Sequence, residues 1–567
     1  MTAYLKSLQY KRSFQLALVV FLCLMIYTPS LRNGFIWDDD TNLYNSQWLQ
    51  KTGGLKVIWL TNEMYQYYPI GFTTFWLEHK LWGLDPFGYH TINLIIHILN
   101  ALLFFWIARR FYPRLAFIST LLFAIHPIQV ETVSWITERK NLLSLFFFLL
   151  AMLAYLRFDR TRRKRDYLFT VAMFVCALLS KSIAVCFICI PVLYKWWQDG
   201  KVSWREVRLS IVFLAIGFSM AVYTLYLEYY HVGAQGCAFN LTFLERFILS
   251  GRIIIFYIHK LIFPFNFMFM YPRWIVNTKM WWQWIFPLAV ILTSGVLFIY
   301  RRKISRGALA LFIFYIISIF PVLGFLNVYG MRFSFVNDHF SYLSTPCLLL
   351  LLCAIITFFF DKLNSEFLLL NSALYRILKR VILIFIILYL SNVSMILTRN
   401  YKNEITLWGN LIRDNPSSWI AYSNLASEYV DNGKNEEAIA LCKKAIELDP
   451  GVHYTYYTLG RAYDAIGKKK EAVEAYKKAV HIYPEYFDAL NNLAAVYVDL
   501  GEFDKAMQLW EDIVQLNPDF STAHFNLATF YYRKGKYDLA VKHCDEVIRL
   551  GNVVDPEFLK LLKPYRK

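Results

Sequence analysis

The sequence predicts an all-α protein in two parts: a polytopic membrane helical bundle of about eleven spans over residues 1–400, then an α-solenoid over 401–567. Three observations carry this. The 567 residues are 57% hydrophobic and only 18% charged, against roughly 45–50% apolar and about a quarter charged in soluble domains. The charge is divided, with 38 of the 59 basic but only 17 of the 41 acidic side chains in residues 1–400. Positions in the tail recur at a fixed period. The net charge of +18 therefore flanks apolar runs, where it orients membrane helices; it does not form a phosphate-binding face, and nucleic acid is excluded as a partner.

A spanning helix needs about 20 mostly apolar residues. Such runs lie near 14–31, 90–108, 115–130, 140–158, 167–181, 183–197, 209–229, 282–300, 307–325, 341–360 and 381–398. Basic clusters near 6–12, 109–114, 157–165, 195–208, 301–306 (Arg301, Arg302, Lys303, Arg306) and 376–380 fall at every second loop. They set the N-terminus inside and the tail outside. Residues 246–264 read as an interfacial or re-entrant helix, because counting them as a span would place the 301–306 cluster outside; twelve or thirteen spans are the alternatives. No small-residue cleavage site follows Leu31, so the first run reads as uncleaved. Of the nine cysteines, six lie in apolar runs and read as small apolar residues; Cys237, Cys442 and Cys544 remain, without CxxC or metal-like spacing.

The tail repeats every 34 residues. Pro416, Pro450, Pro484 and Pro518 keep this period, as do Gly433, Gly467, Gly501 and Gly535, and Ala438, Ala472, Ala506 and Ala540. A turn glycine, a packing alanine and a helix-ending proline at this spacing are the tetratricopeptide (TPR) pattern. The repeats fall near 419–452, 453–486, 487–520 and 521–554, preceded by a half-repeat. Such a superhelix offers a concave groove to a protein partner; Tyr454, Tyr457, Asn424, Asn492 and Asn526 are the candidate groove residues, and inter-repeat packing or a scaffold role is the plain alternative.

With this topology, eleven of the 17 acids in residues 1–400 lie outside or at the outer membrane edge, Glu63 among them. Charges there are costly unless paired or functional. The first outer loop carries Asp38, Asp39 and Asp40 in succession. One carboxylate could act as general base toward a hydroxyl, and Asp38 with Asp39 suits a divalent cation through oxygen; a helix cap on a solvated turn explains the same run. His90, Asn93 and His97 share one helix face, as metal ligands or as polar packing between helices. Glu131, Glu138, Arg139 and Lys140 follow His126-Pro127, and Lys181 stands alone between two apolar runs.

Several segments carry a resemblance: Trp37-Asp38-Asp39-Asp40, HPIQVETVSWITERKNLLS (126–144), LSKS (179–182), ERFILSGRIIIFYIHKLIFP (245–264), MYPRW (270–274) and GFLNVYGMRFSFVNDHFSYL (324–343). With the tail, they resemble a bacterial family of multi-span proteins with C-terminal TPR arrays, related to the eukaryotic transmembrane-and-TPR O-mannosyltransferases of GT-C architecture. The resemblance implies a polyprenyl-phosphate sugar donor, a hydroxyl acceptor (a protein Ser or Thr) on the outer face, and inversion, with Asp39 as base ahead of Asp38 and Asp40. It implies donor phosphate or sugar contacts from Arg252, Lys181, Arg332, Arg139, Lys140, His259, Lys260, Glu131, Asp338 and His339. One departure is Asp338-His339-Phe340, where the eukaryotic relatives tend to carry an Asp-Arg-Tyr-like run. The implied place is a bacterial inner membrane with a periplasmic tail. A catalytically silent TPR scaffold, or a GT-C enzyme acting on a lipid or glycan acceptor, are the competing readings.

Overall fold

The computed structural model describes residues 2–566 other than 51–52, 62–63, 65, 303–304 and 368–371; Glu63 and Lys303 lie outside the described residues. Every regular element among the described residues is helical, and the chain divides into two units, Met1–Leu407 and Trp408–Lys567.

Among the described residues of the first unit, seven helices are long and apolar enough to cross a membrane: Arg12–Arg32, Pro86–Phe111, Ile136–Thr161, Trp204–Val232, Trp281–Ile299, Thr345–Lys362 and Ile377–Tyr401. An eighth candidate is a pair, Ala116–Ile125 and Pro127–Ser134, bent by 54°. The bend has a local cause. Pro127 removes a backbone donor and forces the preceding residue out of the helical region. His126 is accordingly extended, and its ring accepts the Ile128 N–H. The remaining expected runs are shorter helices. Lys164–Ser180 has 17 residues and Arg306–Ile319 has 14. The run at 183–197 divides into a 3₁₀ segment, Ser182–Cys189, and a helix, Ile190–Asp199, with Pro191 at the start of the latter where a missing N–H costs nothing. Helix Phe243–Ile262, closed at its start by a Thr242/Glu245 capping box, carries too many charges to count among the long apolar helices.

The second unit has four helix pairs: Trp419–Asp431 with Asn435–Leu448, His453–Ala465 with Lys469–Ile482, Phe487–Asp499 with Phe503–Leu516, and Ser521–Arg533 with Tyr537–Arg549. The turn glycines Gly433, Gly467, Gly501 and Gly535 all have φ between 74° and 79°, the left-handed region that ends a helix cheaply only with glycine. The periodic alanines Ala438, Ala472, Ala506 and Ala540 are each 0% exposed, so their small size sets how closely the paired helices pack. Gly460 is fixed by proximity: a Cβ there would lie 2.6 Å from the Tyr476 ring.

Candidate active site

The candidate side chains of the first unit stand where helices break. Trp135 is extended between the short helix Val130–Ser134 and the 3₁₀ turn Ile136–Glu138, and helix Arg139–Thr161 starts directly after. Lys181 is extended after Lys164–Ser180. His339 lies in the 3₁₀ turn Asp338–Ser341. Asp38 follows Trp37, whose φ of +44° places a bulky residue in left-handed backbone. Irregular backbone beside apolar helices is tolerated where it borders a cavity, and strained backbone concentrates at functional sites.

These breaks converge on a cavity of about 440 Å³ lined by Trp37, Asp38, Tyr68, Trp135, Glu138, Lys140, Lys181, Glu228, Asn337 and His339, among others. Glu138 is its electrostatic centre. Lys140 Nζ lies 3.1 Å from Glu138 Oε1 and Lys181 Nζ 3.7 Å from Oε2. Asn141 donates to the same carboxylate. His339 bridges to a second acid, its Nδ1 3.0 Å from Glu131 Oε1, while its backbone N–H donates to Glu131 Oε2 at 2.9 Å. Two ammonium groups thus share the Glu138 carboxylate, and each keeps N–H donors with which to meet an anionic guest. In the same cavity, burial pushes the Asp38 carboxyl above the ordinary carboxylate range, with Lys140 pulling it down and Glu138 adding to the rise.

One wall is aromatic. The Trp37 and Trp135 rings stack at 5.6 Å and 9°, Phe269 meets the edge of both, and Lys140 lies 5.7 Å from the Trp135 ring centre. Flat apolar faces beside hydrogen-bonding carboxylates suit a sugar ring.

Of the expected residues, Asp38, Lys140, Lys181 and His339 come together on the cavity, and Glu131 stands behind His339. Asp39 does not line it. Its side chain is fully buried and accepts the N–H of Ile36 at 3.1 Å and of Thr137 at 2.9 Å, so it ties the first loop to the 126–144 segment. Asp40 begins the π-helical turn Asp40–Tyr44. Arg139 is turned away: it pairs with Glu78, bonds Asn93, and donates to Tyr89 C=O at 2.8 Å. Arg252 lies 4.2 Å from the Trp274 ring centre, and His259 packs on Phe263. Lys260 is buried and donates to the carbonyls of Phe265 and Asn266. Asp338 accepts from Tyr271 at 2.9 Å, and burial raises its carboxyl well above the usual range. Arg332 is exposed, at the end of the turn Tyr329–Arg332. His97 bonds Tyr342 at 2.8 Å and Asn93 bonds Trp135 C=O at 3.1 Å, which is polar packing between helices. Among the described residues no group of three or more His, Cys, Asp and Glu converges as a metal-ligand set.

The sequence singles out Glu138 beside Arg139 and Lys140, whereas Glu228 and the Trp37/Trp135 stack are not among its candidate site residues. Glu138 carried a signal in the Glu-Arg-Lys run; the stack joins residues about a hundred apart and has none in sequence.

In the second unit Asn424, Asn492 and Asn526 occupy one register position of successive first helices, filled by Thr458 in the second repeat. Asn492 donates to the Tyr457 hydroxyl at 3.4 Å and Asn526 to Asn491 at 2.8 Å, so these residues link neighbouring repeats. Tyr454 and Tyr457 lie 6.5 Å apart by ring centres.

Residues 69–227 match the family described as dolichyl-phosphate-mannose-protein mannosyltransferase. Residues 420–485, 457–518 and 492–553 match tetratricopeptide-repeat families. Protein O-mannosyl-transferase F38B6.6 of Caenorhabditis elegans is 25% identical over 453 residues, covering 77% of this chain and 63% of the relative. Human protein O-mannosyl-transferase TMTC3 is 32% identical over 155 residues, 25% of this chain and 17% of the relative. The chain therefore spans less than two thirds of the length of these curated relatives. Among solved structures, the crystal structure of MamA is 30% identical and covers 26% of this chain and 86% of its own, with a TM-score of 0.25. The chain thus joins a membrane region similar to mannosyltransferases to a tail of tetratricopeptide repeats.

Proposed function

We propose that the membrane unit is a glycosyltransferase that moves a mannosyl residue from a polyprenyl-phosphate donor to a Ser or Thr hydroxyl of a protein, on the outer face and with inversion, and that the tail binds the acceptor protein. One observation carries the reading: a single cavity is lined by the Asp38 carboxylate and by the Lys140–Glu138–Lys181 cluster. The names of the relatives support mannose as the sugar.

In this reading Asp38 takes the proton of the acceptor hydroxyl as its oxygen attacks the anomeric carbon. The new carbon–oxygen bond forms opposite the bond to the donor phosphate, which breaks, and its electron pair leaves on the phosphate oxygen. That developing charge falls beside Lys140 and Lys181, which are fixed before the reaction by Glu138 and so need no reorganisation. The aromatic wall receives the sugar ring, and Glu131 and His339 orient its hydroxyls. Asp38 replaces Asp39 as the base because it faces the cavity, while both oxygens of Asp39 are taken by backbone donors. Arg139, Arg252, Lys260, His259, Arg332 and Asp338 have no direct role at the donor here.

The purified chain, incubated with polyprenyl-phosphate [³H]mannose and parallel hexose donors with and without divalent cation, should release polyprenyl phosphate in the presence of acceptor. Asp38→Asn should lower release at least a hundredfold. Silence from every donor by folded protein would return the chain to the scaffold reading.

A further inference from the structure

We infer that Glu404 is a positioning residue that holds the Trp37–Asp38 elbow in the geometry the cavity uses. The inference rests on reading the cavity as the transferase site. Trp37 has a left-handed φ of +44°, a region that bulky residues avoid unless something outside them compensates. The Trp37 backbone N–H donates to the Glu404 carboxylate, a charge-assisted bond stronger than one to a neutral acceptor. The same stretch of chain is tied twice more. The Gly34 N–H donates to Lys402 C=O at 2.8 Å, and the Asn33 side chain donates to Thr398 C=O at 3.1 Å. On the far side of the elbow, Asp39 accepts from Ile36 and Thr137. The two cavity-lining residues are therefore clamped on both sides, with the Glu404 carboxylate accepting the amide of the strained residue. Glu404 is not among the residues lining the cavity, so its effect on the site passes through Trp37 and the residue that follows.

Four full-length variants test this: Glu404→Gln, Glu404→Ala, Trp37→Gly, and Trp37→Gly with Glu404→Ala. Glu404→Gln keeps an oxygen that accepts the Trp37 N–H, and its kcat should stay within threefold of the unmutated protein. Glu404→Ala should lower kcat at least tenfold. In the Trp37→Gly background the same alanine should change kcat less than twofold, because glycine adopts the left-handed conformation unaided. An equal loss in both backgrounds, or a Glu404→Ala kcat within threefold of the unmutated protein, overturns the inference. If the unmutated protein turns over no donor, the transferase reading fails and the elbow is read from melting temperatures of the same proteins. Glu404→Ala should then lower the melting temperature with Trp37 present and leave it unchanged with glycine there; additive falls overturn the clamp. If Glu404→Ala does not fold, recovery of the fold by Trp37→Gly supports it, and failure in both backgrounds overturns it.

Discussion

Lys140 Nζ lies 3.1 Å from Glu138 Oε1, whereas Arg139 between them turns into a separate ion pair with Glu78. The first pair faces the cavity and the second is sealed behind it. Neighbouring residues at the start of a helix project about 100° apart, and here that rotation separates a charge available to a guest from one committed to the fold.

Lys140→Met should therefore impair chemistry more than folding. Removing one fixed donor from a developing anion costs about 10²–10³ in rate. Single-turnover release of polyprenyl phosphate should slow by that factor while the melting temperature moves little, since Glu138 keeps Lys181 and Asn141 as partners.

Asp38 predicts the sign of a pH dependence. Burial raises its carboxyl above the ordinary range, which for Asp is about 3.9, and a general base works only when deprotonated. Transfer should fall as pH drops through that raised value, at a higher pH than an exposed Asp would give. Lys140→Met should move this acid limb to still higher pH, because Lys140 lowers the Asp38 pKa. The measurement is kcat against pH for both proteins; an acid limb unmoved by Lys140→Met would remove Asp38 from the role of base.

Asp39 and Asp38, adjacent in sequence, should separate stability from turnover. Asp39→Asn replaces one oxygen with a donor facing a backbone N–H, which leaves a buried donor unsatisfied at a cost of about 1–3 kcal/mol. Its melting temperature should fall with substantial residual transfer per folded molecule. Asp38→Asn should keep the melting temperature and lose transfer.

Much of this architecture was legible in sequence, for a reason that also marks its limit. The tail repeats one packing problem four times, so a turn glycine such as Gly467 and a buried alanine such as Ala472 recur at a period that needs no knowledge of the fold. The membrane unit has no repeat to read. Charges against apolar runs pointed to Asp38, Lys140, Lys181 and His339, because an unpaired charge there is costly. The roles within the Asp and Glu-Arg-Lys runs depended on which way each side chain faces, and the acidic triplet alone gave no rotation to choose Asp38 over Asp39. Likewise Trp37 meets Trp135 only through tertiary folding. The run at 183–197 read as one apolar span because composition is blind to the 3₁₀ winding of Ser182–Cys189.

Arg139 offers a test of buried pairing. Its side chain is 0% exposed against Glu78, and Arg139→Met would strand that carboxylate. Breaking one partner of a buried pair costs about 3–5 kcal/mol, whereas replacing both by apolar residues is often neutral. Thermal unfolding in detergent should show a large loss for Arg139→Met, and most of it should return when Glu78→Met is added.

The last repeat carries a pH-sensitive contact. His524 Nδ1 and His543 Nδ1 lie 2.9 Å apart, with His524 Nε2 3.0 Å from Pro518 C=O. A neutral His524 that donates to that carbonyl presents a bare Nδ1 to the His543 N–H. Burial, then His524 and Lys542, lowers the His543 pKa to about 4. The unfolded chain, with an ordinary histidine near 6.5, binds the proton more readily than the folded one between these values. Stability from this contact is thus full above about pH 6.5 and is lost as pH falls toward 4. Hydrogen exchange in helices Ser521–Arg533 and Tyr537–Arg549 of the full chain should accelerate from pH 7 to pH 5, after correction for the intrinsic rate. His543→Asn, which does not titrate, should flatten that dependence, and an unchanged slope would assign the acid sensitivity to another group.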